Sequence, residues 1–215
     1  MCFSAAASFT SSAVLAATAV VSLITARNAP QRVLAGIPLV FSIQQFTEGV
    51  LWMSLLHPAW AHWEGITTYV FQIFAEIFWP VYIPLCMLLF ERAGTKRTVM
   101  AALMCCGILL AAYTGYSFYQ YPVHAFAANH HIRYESDFPL SKRWFYGLLY
   151  FMPTVICPLM SSKKILRLLG YLFFFSYVVA RLLFHYFEVS VWCFFGAIIS
   201  LIVMIMLMHR RMNVV

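Results

Sequence analysis

Apolar residues along this chain run in seven long blocks, separated by short polar connections. The blocks span residues 5–26, 33–55, 66–90, 98–118, 144–160, 168–187 and 189–208. All but the fifth come close to or exceed the roughly 20 apolar residues that a helix needs to cross a bilayer. The fifth is the shortest and carries Pro153 and Pro158. The pattern predicts an all-α, polytopic integral membrane protein of seven transmembrane helices. They form a single domain over residues 1–215, with one long external loop at about 119–143.

Composition agrees, with 63% hydrophobic and 10% charged residues against the roughly 25% charged residues of a soluble domain. The net charge of +7 is spread over short clusters between apolar blocks rather than gathered on one face, so no nucleic-acid partner is expected. The odd-numbered connections hold Arg27, Arg32, Arg92, Lys96, Arg97, Lys163, Lys164 and Arg167, and the tail adds Arg210 and Arg211. The other side has only Arg133, Lys142 and Arg143. Positive-inside logic places the N-terminus outside and the C-terminus in the cytoplasm. No basic residue precedes the first block, so it reads as a retained span rather than a cleaved signal. Ser8, Ser12 and Ala16 recur every fourth residue in it, as do Ala13 and Ala17, which suits close helix packing.

The polar residues inside the blocks carry the chemistry. Glu76 lies four residues before Pro80, whose missing N–H is expected to free the Glu76 carbonyl beside its own carboxylate. Gln44, Gln45 and Glu48 lie in the second block, Gln72, Glu76 and Trp79 in the third, and Tyr177, Arg181 and His185 in the sixth at four-residue spacing. Glu188, Ser190 and Cys193 follow at the start of the seventh. With alternating helix directions these groups reach one depth, in the outer half of the bundle. An ionisable residue within a span is a functional-site hypothesis by default. Gln44, Gln45, Glu48, Gln72, Glu76, Trp79, Tyr177 and Arg181 are therefore the expected ligand pocket. Glu48, Glu76 and His185 offer oxygen and nitrogen ligands to zinc, copper or iron, with Cys2 or Glu188 as a fourth. Two carboxylates and one cation also suit a cationic ligand. The plainer reading is an ion-pair network in which Arg181 neutralises Glu48 or Glu76 and fixes helix register.

The opening MCFS would expose an amine and a thiol together if Met1 were removed. In the long loop, His124, His130, His131, Glu135 and Asp137 sit among aromatics; the segment reads either as a lid over the pocket or as a solvated loop. The remaining cysteines lie within spans as small apolar residues, and Cys2 with Cys193 is the one pair placed for a disulfide. No lysine for a retinal Schiff base stands in the last block, and paired zinc histidines, phosphate-binding glycine patterns and CxxCH are absent.

MCFSAAASF, IPLVFSIQQFTEGVLW, FAEIFWPVYIP and SVWCFFGA together resemble a family of uncharacterised bacterial multi-pass membrane proteins that begin MCFSA. The resemblance implies the same span count and a bacterial inner (plasma) membrane. It singles out Cys2, Gln45, Glu48, Glu76 and Trp79, and it supplies no reaction. The leading expectation is a pocket for a metal ion or small polar ligand, with a metal-dependent membrane enzyme as one form of it. A small-molecule or ion transporter, with Pro38, Pro80, Pro84, Pro153 and Pro158 as helix breaks, is the first alternative. A receptor-like or scaffold protein with a purely structural network is the second.

Overall fold

The computed structural model describes residues 4–128, 130–140 and 144–208, and of His185 the backbone alone. It is a helical bundle with one small β-hairpin. Helix α1 is Ala5–Thr25, capped by the Ser4 hydroxyl, which accepts from the Ala7 N–H. Helix α2, Ala29–Leu56, starts under Asn28, whose side chain accepts from the Gln31 N–H. Such caps satisfy donors that no helical carbonyl can reach. The third apolar block is continuous from Pro58 to Phe90 but changes winding: a 3₁₀ turn leads into α3 (Glu64–Gln72), a π-helical segment (Ile73–Phe78) and α4 (Trp79–Phe90). Helix α5 is Thr95–Gln120. Then come α6 (Trp144–Phe151), a second π segment (Met152–Ile156), α7 (Cys157–Leu159), α8 (Lys164–Leu183) and α9 (Glu188–Met208).

Six of these helical stretches are long and apolar enough to cross a membrane. The stretch Trp144–Leu159 is apolar but shorter. Helix α8 ends at Leu183, earlier than its apolar block, because Phe184 leaves helical geometry and a 3₁₀ turn, His185–Phe187, leads into α9. His185 therefore does not continue the face that carries Tyr177 and Arg181, contrary to the spacing-based expectation.

Neighbours in sequence are neighbours in space: α4 packs on α5, the α6–α7 region on α4, α5 and α8, and α8 on α9, which returns to α2 and closes the ring. Helix α1 lies against α2 and α9. Its contact face is Ser8, Ser12, Leu15, Ala19 and Ser22, and Ser12 and Ser42 exchange side-chain to carbonyl hydrogen bonds of 2.9 and 2.8 Å. The close approach that small residues permit is thus used on the Ser8–Ser12 stripe. Ala13 and Ala17, the other expected stripe, face outward.

The long loop is not structureless. Strands β1 (Val123–Ala128) and β2 (His131–Ser136) form an antiparallel hairpin with Ala125 opposite Tyr134 and Ala127 opposite Ile132. Those residues share the face toward the bundle, where Ala125 and Ile132 pack with Leu51 and Trp52, and Tyr134 stacks on Phe71 at 4.7 Å. His131 lies on the opposite strand face, stacked on Phe187 at 4.8 Å, and burial pushes its imidazole below the ordinary value. Arg133 and Glu135 form an exposed ion pair beside it. The hairpin is packed against one end of the bundle. At the opposite end Arg97 donates to the carbonyls of Leu88 and Glu91 at 2.6 and 2.8 Å, closing the C-terminus of α4.

Candidate functional site

The site begins with the proline at position 80. In an ordinary α-helix Pro80 would strand the carbonyl of Glu76, four residues back. Here the segment before it is π-wound, and the Trp79 N–H bonds Phe74 O, five residues back. In that register the carbonyl left without a donor is that of Ala75, not that of Glu76. The Tyr150 hydroxyl fills the vacancy by donating to Ala75 O at 2.5 Å. The widened turn also leaves the Glu76 carboxylate projecting inward, where Tyr146 Oη donates to it at 2.6 Å and lies 2.9 Å from Thr114 Oγ1. Wide turns of this kind recur at functional sites. Tyr150→Phe is expected to leave the Ala75 carbonyl unsatisfied and lower thermal stability by about 1–2 kcal/mol. A melt in detergent checks this, and an unchanged midpoint would show that the bond contributes nothing.

Glu76, Tyr146 and Tyr150 open on a cavity of about 580 Å³ beneath the hairpin. Tyr134 roofs it, Tyr177 and Trp192 form a wall with their rings edge to face at 5.0 Å, and Ser190 and Cys193 from α9 close the back. Arg181 and Glu188 stand at its rim, joined at 2.6 Å. The Arg181 side chain is 55% exposed, so the pair contributes on the order of 1 kcal/mol or less to stability. Arg181 therefore does not neutralise Glu48 or Glu76 as the ion-pair network required. Its partner is Glu188, because the break at Phe184 folds the start of α9 back alongside the end of α8. Among the described residues no lysine or arginine pairs with Glu76.

The eight expected pocket residues divide into two layers. Glu76, Tyr177 and Arg181 line the cavity. Gln44, Gln45, Glu48 and Gln72 form a fully buried layer behind it, in contact with it through α9. Ser190 Oγ donates to Glu48 at 2.7 Å, Gln45 Nε2 donates to the other Glu48 oxygen at 3.2 Å, and Gln44 Nε2 donates to Cys193 Sγ at 3.2 Å. Trp79 belongs to this layer: its indole N–H donates to Gln44 Oε1 at 3.1 Å and its ring stacks on Phe41 at 4.2 Å. It faces a small apolar recess of about 40 Å³ that shares Tyr150, Trp192 and Cys193 with the main cavity. Gln45 Oε1, Trp52 Nε1, Thr68 Oγ1 and Gln72 Oε1 are buried in the same region without a protein hydrogen-bond partner. A layer with these donors and acceptors suits ordered water.

Among the described residues no three His, Cys, Asp or Glu side chains converge to hold a metal ion. Glu48 and Glu76 lie in different layers, and Glu188 is held by Arg181. Cys2 and the His185 side chain lie outside the described residues, and Cys193, the expected disulfide partner of Cys2, is a free, buried thiol that accepts from Gln44 Nε2. Spacing analysis missed Tyr134, Tyr146, Tyr150 and Trp192. The available signal was Tyr146 and Tyr150 one turn apart inside a short, proline-rich apolar block, where interfacial anchoring is a poor explanation for the second tyrosine.

Six stretches long and apolar enough to cross a membrane, with a tyrosine-lined cavity bounded by the third stretch, the Trp144–Leu159 stretch, α8, α9 and the hairpin, define an all-α protein compatible with a membrane setting. The chain belongs to a family of unknown function, DUF6629, whose family model matches residues 1–215. No curated protein and no solved structure matches it.

Proposed function

We propose that the chain is an integral protein of a bacterial plasma membrane that crosses it seven times, with its hairpin end outside, and that the cavity beneath the hairpin binds a small polar ligand. The observation that carries this reading is the cavity itself. At about 580 Å³ it falls within the 300–1,000 Å³ range of small-molecule sites, with an apolar and aromatic lining and a few convergent polar groups. The short stretch Trp144–Leu159 supplies the seventh crossing, and local thinning of the bilayer accommodates its length. The cluster of Arg27, Arg32, Arg92, Lys96, Arg97, Lys163, Lys164 and Arg167 at the end opposite the hairpin supports the orientation. Glu76 and the tyrosine rings orient the ligand, and Tyr134 on the hairpin limits access to it.

Transport is a second reading, favoured by one observation: the two proline-associated π segments sit on elements that pack against each other beside the cavity.

Cysteine labelling in intact cells tests the main reading, in a background whose native cysteines are replaced by serine. A cysteine at Gly147, which lines the cavity, and one at Tyr186 on its rim are expected to react with a membrane-impermeant maleimide from outside. One at Lys96 should react only after permeabilisation. Labelling at Lys96 from outside would reverse the orientation, and an inert cysteine at 147 beside a reactive one at 186 would mean that the cavity is closed.

A further inference from the structure

The charge balance of the cavity is unequal. Arg181 and Glu188 cancel each other at the rim. Farther in, the donor to Glu76 among the described residues is the neutral Tyr146 hydroxyl. A carboxylate removed from bulk water without a countercharge is costly, and a cationic partner relieves that cost. The walls bear on what kind of cation this is. Tyr146, Tyr150, Tyr177 and Trp192 line the cavity that Glu76 enters, and Tyr150 and Tyr177 each meet Trp192 edge to face, at 5.5 and 5.0 Å. Aromatic faces attract a cation through the ring quadrupole and favour a weakly hydrated organic one. A bare metal ion would need several converging ligands, and among the described residues no such group exists. An inorganic monovalent ion would leave most of the volume unused.

We infer that the ligand is a small organic ammonium compound, its charged nitrogen held between the Glu76 carboxylate and the rings of Tyr150, Tyr177 and Trp192. This rests on the reading of the cavity as a ligand site and gives that site its substrate class. Tyr146 acts as a positioning residue: by donating to one Glu76 oxygen it turns the other toward the cavity. The Ser190 hydroxyl is committed to Glu48, so Glu76 is the group that fixes the charged end, and the Tyr134 ring bounds the rest of the chamber.

The test is thermal stabilisation of the full chain in mild detergent by three probes: tetraethylammonium, choline, and the uncharged choline isostere 3,3-dimethyl-1-butanol. At least one ammonium probe is expected to raise the melting temperature saturably, and more tightly than the uncharged isostere by at least about tenfold. Glu76→Gln is expected to remove at least about tenfold of that preference. Gly147→Trp, which fills the cavity from a position where an added Cβ meets nothing closer than the Tyr177 hydroxyl at 3.9 Å, should abolish binding. Equal binding of choline and its uncharged isostere would overturn the inference, as would an ammonium affinity unchanged in Glu76→Gln, and so would the absence of binding by either ammonium. Because the isostere comparison uses the wild type, a variant that fails to fold does not rescue the inference. If the cysteine at 147 labels from outside while no ammonium binds, the ligand class fails and the cavity reading stands. If that cysteine is inert, the cavity reading fails first.

Discussion

Gly107→Leu is expected to prevent stable folding or to lower stability by more than about 3 kcal/mol, the upper range for forced overpacking. Gly107 lies on α5 where that helix crosses the chain at Pro80. A Cβ added there would run into the Pro80 carbonyl oxygen and carbon, and the side chain of Pro153 is next nearest. Backbone cannot swing aside as a flexible side chain can, and this stretch is further held by the proline ring and the π turn before it. The helices must separate instead. Separation would draw Thr114, also on α5, away from Tyr146 and disturb the hydroxyl that orients Glu76. Gly115→Ala on the same helix is the control, since its new Cβ meets only the Ile77 side-chain tip at 3.6 Å and alanine favours the helix by about 1 kcal/mol over glycine. Thermal unfolding in detergent distinguishes the two. Equal midpoints for both variants would mean that α5 does not approach Pro80 so closely.

The second large effect is expected at Glu48. This residue is fully buried, with one carboxylate oxygen accepting from Ser190 and the other from Gln45. Glu48→Ala removes both carboxylate acceptors at once, takes a hydrogen bond from the Ser190 hydroxyl and from the Gln45 amide, and opens a void between α2 and α9. A loss of about 2–4 kcal/mol follows from these combined terms. Glu48→Gln keeps the volume and an acceptor for Ser190, so its loss should be about 1 kcal/mol. Neither variant should change cavity labelling at position 147 if the protein stays folded, because Glu48 lies behind the cavity rather than on it. Melting curves for the two variants check the ordering. A Glu48→Gln variant as unstable as Glu48→Ala would show that the charge itself, not the hydrogen-bond geometry, holds this layer together.

The tyrosine positions show why reading by helical spacing found only part of the site. Glu76 was legible because a carboxylate in an apolar block has few benign explanations. Tyr146 and Tyr150 were not, because tyrosine is ordinary near membrane interfaces and nothing local marks a hydroxyl that satisfies a carbonyl on another helix. Arg181 was legible as a buried-block cation, yet its partner was misassigned. Pairing depends on where α8 stops, and Phe184, the residue before His185, breaks it. The Glu76 carbonyl was expected to be the orphan because a sequence suggests α register by default. The π turn moved the orphan by one residue, to Ala75.

What the sequence determined by itself is the set of apolar helices, the polar residues they bury, the small-residue face that lets α1 meet α2, and the uneven placement of arginine and lysine at the two ends. These follow from periodicity and from the cost of exposing or burying each side chain, which are local properties of the chain. Only the tertiary structure decided that Glu48 and Glu76 fall in separate layers, that the long loop folds as a hairpin over the bundle, and that four aromatic side chains from three helices line the cavity that Glu76 enters. Those outcomes depend on helix order, on winding at the prolines, and on contacts between residues far apart in sequence. A stretch of chain specifies its own exposure preferences, but a cavity exists only where several such stretches fail to fill the space between them.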